Sequence, residues 1–453
     1  MIGKTFGAGG AALATALFMT GAAWGQPQGA TVSVTLHGVR SGQGMVVAAL
    51  CGDAKAPFPG GCTTYRAVAK ASAGDTVATF TGVPPGRYAL QAFHDENGDF
   101  IPEIPPEGFA FGNNTAYPPS FDAASIQVAG DTQVSVTMTY LGGAAPAART
   151  GSHGVTPPDG VTRTDLRQGG LYGEFYTPAA HAGPLPAILL MGGSEGGLEI
   201  ISGMAADFAR QGYAALALAY WAEEGLPQTL EHVPLEYFDR AVGWLKARPE
   251  VNPQAIGAIG WSRGSEAVLL LGSRNPDVRA VVAIAPSGIV WKGLNFSNFP
   301  ASKAAWTAQG RPLPYLTPAN AAYRPDAPMR TMFIDALPEA DRHPETGIPV
   351  ERIHGPVLLI SGGDDRLWPS REMADRIMGR LKQSRFKYDY AHLTYDGAGH
   401  AIFVGAPDGA MARSMRTPSP MLGGSVEANA RAWTDDWPKV LAFYDKALKE
   451  HAR

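Results

Sequence analysis

From Thr31 to Tyr140 apolar and polar residues alternate in short runs separated by Gly and Pro: Thr31 to Leu36, Gly44 to Leu50, Thr76 to Phe80, Arg87 to Phe93 and Thr132 to Tyr140. Successive side chains of a strand point to opposite faces, so this period of two predicts strands with one buried face each, assembled as a small all-β sandwich. Val83-Pro84-Pro85-Gly86-Arg87-Tyr88 predicts a tight turn leading straight into a strand. The pattern changes after residue 160. Continuous apolar runs at Ala187 to Met191, Ala214 to Tyr220, Ile256 to Gly260, Arg279 to Ile284, Val357 to Ser361 and His392 to Tyr395 alternate with segments of helical period. A strand that is apolar on both faces must be covered on both, which predicts an α/β domain with a mostly parallel sheet between helices. Tyr237, Ala241, Val242, Trp244 and Leu245 form one helical stripe, and Trp437 to Leu448 forms another. Gly142 to Gly160 is rich in Ala, Pro and Gly and has no period, so it reads as a linker. The expected organisation is a leader at 1–25, a β-sandwich at 26–141, a linker at 142–160, and an α/β domain at 161–453 with an insertion at 287–355.

Composition narrows the class of partner. A chain of 453 residues with 45% apolar content has enough material for more than one core. The formal net charge is −4 and no Lys or Arg run occurs, which removes the electrostatic footprint of a nucleic-acid or anionic-lipid binder and leaves a small molecule as the expected partner. Lys4, the small and apolar stretch Gly7 to Ala23, and Ala23-Trp24-Gly25 before Gln26 read as a cleaved export signal, too short and Gly/Ala-rich for a membrane anchor. A periplasmic or extracellular location follows. Cys51 and Cys62 are the two cysteines of the chain, and in an exported protein a disulfide between them is expected; two free buried thiols are the alternative.

The chemistry is carried by Gly260-Trp261-Ser262-Arg263-Gly264, which follows the apolar run ending at Ile259 and precedes the helix-like Ser265 to Leu271. A strand, a sharp turn with glycines on either side, and a helix form the nucleophile elbow that lifts a serine hydroxyl clear of a sheet. An acid and then a histidine follow in the chain order of α/β-hydrolases: Asp365 and His400. Ser262 is the expected nucleophile, His400 its general base, and Asp365 the group that orients the imidazole. Asp364 competes with Asp365. Spacing favours Asp365, three residues after Gly362 and four before Pro369. The expected oxyanion donors are the backbone N–H of Arg263 and one from Gly192-Gly193-Ser194-Glu195-Gly196-Gly197, with Gly193 and Ser194 both open. The same turn lacks the lysine of a phosphate-binding loop.

The insertion between Ser287 and Gly355 contains Trp291, Phe296, Phe299, Trp306, Tyr315, Tyr323 and Phe333 and reads as a lid or pocket wall, with Trp291, Trp306 and Trp368 as expected acyl contacts; a satellite cluster packed on itself is the alternative. Lys292, Lys303, Arg311 and Arg324 within it would meet phosphates or form a solvated face. Asp95, Asn97 and Asp99 have the spacing that opens a calcium loop, but the glycine falls too early and the closing glutamate is missing, so an Asx-rich turn is the reading. No cofactor and no metal are expected.

Residues 165 to 448 resemble the C-terminal catalytic domain shared by acyl-CoA thioesterases and bile acid-CoA:amino acid N-acyltransferases, which is dienelactone-hydrolase-like. The likeness rests on Leu190 to Gly197, Ala219-Tyr220 with Gly225-Leu226-Pro227, Pro234 to Phe238, Ile259 to Glu266, Val350 to Ile353 and Gly355 to Trp368. It implies an α/β-hydrolase fold, thioester chemistry, and nucleophile, acid and base at Ser262, Asp365 and His400. The conjugating members of that family use cysteine as nucleophile, so serine at 262 implies hydrolysis. The N-terminal part resembles small secreted bacterial β domains of unknown function, through Leu50-Cys51, Pro84 to Ala89, His94 to Asp99 and Phe109 to Asn114. A carboxylesterase acting on oxoesters is the alternative enzyme, and an extracellular binding protein with an incidental hydrolase fold is the alternative of another class.

Overall fold

A computed structural model describes residues 29–55, 58, 64–96, 107–116, 119–140, 156–295, 302–319, 329–402, 405–407 and 422–450. The leader, Cys62, Asn97, Asp99, most of the linker, and Phe296, Phe299, Tyr323 and Arg324 lie outside the described residues.

The N-terminal part is all β. Strands β1 (Ala30–Val39), β2 (Met45–Cys51), β3 (Tyr65–Lys70), β4 (Gly74–Val83), β5 (Gly86–Asp95), β6 (Gly108–Phe111), β7 (Ser125–Val128), β8 (Thr132–Thr137) and β9 (Thr139–Tyr140) form two sheets, β4-β1-β8 and β3-β2-β5-β6-β9, with β7 on the edge of β5. Val32, Val34 and Leu36 of the first sheet share one buried cluster with Val46, Ala48, Leu50 and Leu90 of the second, as a sandwich requires. The run predicted as one strand from Thr132 to Tyr140 breaks at Met138, whose N–H donates to His37 O at 2.8 Å; β8 pairs with β1 and β9 crosses to β6. Strands β3, β6 and β7 are not predicted from the sequence: β3 and β6 carry little alternation, and β7 alternates over only four residues. The predicted Pro-Pro-Gly turn joins β4 to β5, and the Tyr88 hydroxyl donates back to Pro84 O at 3.0 Å.

The C-terminal part is built on one eight-stranded sheet in the order β10-β11-β13-β12-β15-β16-β19-β20. In chain order its elements are β10 (Val161–Leu166), β11 (Tyr172–Pro178), β12 (Leu185–Met191), α1 (Glu199–Arg210), β13 (Ala214–Ala219), β14 (Val233–Pro234), α2 (Leu235–Lys246), β15 (Val251–Trp261), α3 (Arg263–Arg274), β16 (Val278–Ile284), β17 (Trp306–Ala308), β18 (Arg311–Pro312), α4 (Arg330–Arg342), β19 (Val357–Gly362), α5 (Ser370–Gln383), β20 (Tyr390–Tyr395) and α6 (Val426–Tyr444). Short strands β14, β17 and β18 form a separate small sheet. From β13 to β20 all pairings are parallel, whereas β10 and β11 are antiparallel. Ile188, Leu190, Ile259, Val282 and Ile360 face one core and Leu189, Met191, Ala258, Val281 and Leu359 the other, so each central strand is buried on both sides as its continuous apolar run predicts. Complete burial of each large aliphatic contributes about 1.5–3 kcal/mol. That double covering holds the C-terminal ends of β12, β15, β19 and β20 at one rigid edge. Among the described residues no helix is long and apolar enough to cross a membrane.

Two glycines make the elbow between β15 and α3 possible by proximity. A Cβ on Gly260 would lie 2.1 Å from Gly264 O, and one on Gly264 would lie 2.3 Å from Gly192 O and 2.4 Å from Met191 O. These obstacles are backbone atoms of the first turn of α3, of the end of β12 and of the turn that follows it, and cannot move aside as a flexible side chain would. Gly264→Ala is therefore expected to destabilise the fold by about 3 kcal/mol, read as a lower urea midpoint with an unchanged m-value.

Candidate active site

The C-terminal end of β15 turns directly into α3, and the turn residue Ser262 takes φ +56° and ψ −120°, a left-handed conformation unusual for a residue with a side chain. The strain sits on the serine itself, while its flanking glycines supply clearance. Ser262 N–H donates to Ile284 O at 2.9 Å and Ser262 O accepts from Ser265 N–H at 2.9 Å, so strand and helix together hold the hydroxyl at the sheet edge.

His400 stands on the loop after β20. Its Nε2 lies 2.9 Å from Ser262 Oγ and its Nδ1 lies 2.9 Å from Asp365 Oδ2, with all three side chains buried. A carboxylate only accepts, so Nδ1 carries the proton and Nε2 is left to accept from the hydroxyl. Asp365, on the loop between β19 and α5, is itself fixed: Oδ1 accepts from the N–H groups of Leu367 (3.0 Å) and Trp368 (3.2 Å), and Oδ2 accepts from Ser370 Oγ at 2.6 Å. The His400 loop is tied down in turn, with His400 N–H on Leu422 O at 2.7 Å, His400 O accepting from Trp261 Nε1 at 3.0 Å, and Gly399 N–H on Asn429 Oδ1 at 3.0 Å. The imidazole lies against the rings of Trp261 and Trp368, at centroid distances of 5.4 and 5.8 Å. Such a relay can take the hydroxyl proton as oxygen attacks a carbonyl and stabilise the imidazolium that results. Asp364 faces elsewhere, accepting from Arg366 Nε at 3.1 Å and Gly424 N–H at 2.9 Å.

Glu266 and Arg263, one turn apart on α3, form a buried ion pair at 2.8 Å. Glu266 also accepts from Trp306 Nε1 at 2.9 Å, and Arg263 donates to Trp291 O at 3.1 Å, which anchors the insertion to the helix that starts at the serine. Burial pushes the Glu266 carboxyl up to about 7, a rise that the Arg263 charge opposes.

The structure corrects the expected acyl contacts. Trp291 and Trp306 are fully buried and present no surface to a ligand: Trp291 donates to Ser287 Oγ at 3.0 Å, and Trp306 packs on Tyr220 and Phe238 in the main core. Trp368 is the one brought against His400, with Phe333 between it and Trp291. Of the cations that the sequence singles out in the insertion, Lys292 is buried while Lys303 and Arg311 face solvent. An open cavity of about 460 Å³ on the insertion, lined by Leu313, Tyr315, Glu339 and His343 among others, contains none of the three hydrogen-bonded residues. Of the two open oxyanion donors, the Gly193 N–H is already given to Glu195 Oε1 at 2.6 Å. Ser370, Asn429, Trp261 and Glu195 are not among the site residues expected from the sequence; Trp261 and Glu195 had a signal, their places within the serine motif and the glycine turn.

Fold and site define the class: an α/β-hydrolase whose serine, histidine and aspartate meet at the C-terminal edge of a mostly parallel sheet. The profile described as BAAT / Acyl-CoA thioester hydrolase C terminal matches residues 233–450, and one of uncharacterized proteins conserved in bacteria matches residues 34–137. Acyl-coenzyme A thioesterase 1 of Homo sapiens is 30% identical over 302 residues, covering 65% of this chain and 67% of its own length. Bile acid-CoA:amino acid N-acyltransferase of Mus musculus is 30% identical, covering 64% of this chain and 66% of its own length. A putative dienelactone hydrolase from Klebsiella pneumoniae superposes with a TM-score of 0.40 at 16% identity, over 63% of this chain and 97% of that one. The chain belongs to the acyl-CoA thioesterase and bile acid-CoA:amino acid N-acyltransferase family.

Proposed function

We propose that this protein is an exported serine hydrolase that cleaves acyl thioesters through an acyl-enzyme on Ser262. The observation that carries the reading is the buried chain Ser262 Oγ, His400 Nε2, His400 Nδ1, Asp365 Oδ2, with both links at 2.9 Å. Ser262 Oγ bonds to the acyl carbon as its proton passes to His400 Nε2. Collapse of the tetrahedral intermediate breaks the bond to sulfur, and the same proton goes to the leaving thiolate. Water then bonds to the acyl carbon as its proton passes to His400 Nε2; collapse breaks the bond to Ser262 Oγ, which takes that proton back, and the acid is released. Arg263 N–H and Ser194 N–H serve as oxyanion donors, a choice supported by the commitment of Gly193 N–H to Glu195.

Serine in place of cysteine supports hydrolysis over transfer to an amino acid, and family membership supports the thioester. The leader at 1–25 supports export, and export supports pairing of Cys51 with Cys62. It also favours a second reading, because thioesters of CoA are made in the cytosol and oxoesters are available outside it: a carboxylesterase with the same acyl-enzyme. The measurement is kcat/KM of residues 26–453 on butyryl- and palmitoyl-CoA against p-nitrophenyl esters of the same acids. The thioesters are expected to exceed the esters by about tenfold or more, and turnover of oxoesters alone would establish the second reading. A folded wild type that no organophosphonate labels would mark the chain as a binding protein.

A further inference from the structure

The turn after β12 holds a buried carboxyl to which the acyl chemistry above assigns no task. Glu195 is partly exposed as a residue, yet its carboxyl folds inward: Oε1 accepts the Gly193 N–H at 2.6 Å, and Oε2 is buried with no hydrogen-bond partner. A Cβ on Gly193 would meet Glu195 Oε2 at 2.8 Å and Ser262 Cβ at 2.9 Å, so carboxyl and serine flank the same glycine. A Cβ on Gly192 would meet Oε1 at 2.5 Å, so the glycines of this turn make room for the acid as well as for a substrate.

The charged and titratable groups around it do not neutralise it. Tyr220, at the end of β13, donates its hydroxyl to Gly192 O at 2.7 Å and has its own ionisation raised by burial and then by the Glu195 charge. Glu223, on the loop beyond it, stands 3.1 Å from where a Cβ of Gly197 would be. On α3, Arg263 is turned to Glu266 and to Trp291 O. His400 is engaged by Ser262 and Asp365. Burial pushes the Glu195 carboxyl up to about 7, opposed by its backbone donors, so it is neutral below that pH and charged above it.

We propose that Glu195 is a protonation-controlled positioning residue of the acyl site. As a neutral acid with its proton on Oε2 it holds the oxyanion turn against Ser262, and as a carboxylate it opposes the negative charge that the attacked carbonyl develops beside it. The inference rests on the acyl-enzyme reading, because only an oxyanion at Ser262 places that second negative charge there. Two anions a few ångströms apart in a water-poor site do not form together, so nucleophilic attack slows as Glu195 ionises.

The test is the rate at which a fluorophosphonate labels Ser262 between pH 5 and about 9.5, in the wild type, in Glu195→Gln and in a Ser262→Ala blank. Glutamine keeps an acceptor for the Gly193 N–H and does not ionise. The wild-type rate is expected to fall about tenfold per pH unit above neutrality, and the Glu195→Gln rate to hold through pH 9. Coincident alkaline profiles in two folded proteins would overturn the role of Glu195 and leave the serine in place. A wild type unlabelled at every pH would instead overturn the acyl-enzyme reading, and this inference with it. If Glu195→Gln fails to fold by circular dichroism, Glu195→Ala carries the same comparison.

Discussion

Ser262→Ala is expected to lower kcat/KM on any acyl substrate by about five to six orders of magnitude while the protein stays folded. The size follows from what the hydroxyl does. It supplies the atom that bonds to the acyl carbon, and without it neither His400 nor the oxyanion turn has a covalent intermediate to serve. A companion variant separates chemistry from stability. Ser262 holds φ +56°, a conformation that strains any residue with a Cβ and leaves glycine unstrained. Ser262→Gly is therefore expected to be as inactive as Ser262→Ala, yet to unfold at a higher temperature by about 1 kcal/mol of relieved strain. Calorimetry beside the esterase assay checks both. Residual turnover in these variants within about a hundredfold of wild type would remove Ser262 from the mechanism.

Asp365→Asn is expected to lower kcat by about 10⁴, and Asp364→Asn by less than about tenfold. The two carboxylates are adjacent in sequence but differ in what they touch. Asp365 accepts from His400 Nδ1, from Ser370 Oγ and from two backbone N–H groups, and is buried. An amide keeps the shape, but its NH₂ facing His400 would favour the imidazole tautomer protonated on Nε2, which cannot accept from Ser262. Asp364 reaches Arg366 and the Gly424 N–H, so its loss would loosen a neighbouring turn and leave the His400 tautomer alone. Steady-state kinetics on one p-nitrophenyl ester measures both, and a larger loss at Asp364 would reassign the acid.

Much of this site was legible in the chain because its signals are local. Glycines at 260 and 264 around a serine, between an apolar strand and a helix, mark the elbow within one window. The glycine-to-proline spacing selects Asp365 over Asp364 for the same reason. What stayed illegible depends on packing. Aromatic residues in the insertion read equally as pocket lining or as core, and the structure buries Trp291 and Trp306 while setting Trp368 against His400. β10 and β11 lie outside the predicted strands because polar residues break their apolar runs: β10 is a half-exposed edge strand, and β11, though buried on both faces, carries Gly173, Glu174 and Thr177 among its buried positions.

The sequence by itself determined the two kinds of layer, the order serine, acid, histidine, and the place of the glycine turn, because periods of 2 and 3.6 and backbone clearance at glycine act over a few residues. Only the tertiary structure decided that Ser262 meets a histidine 138 residues away, that this histidine meets an acid 35 residues before it, and that the Gly193 N–H is held by the carboxyl of Glu195. Those contacts exist because a sheet covered on both faces brings the ends of β12, β15, β19 and β20 to one edge, and that convergence belongs to no single stretch of chain.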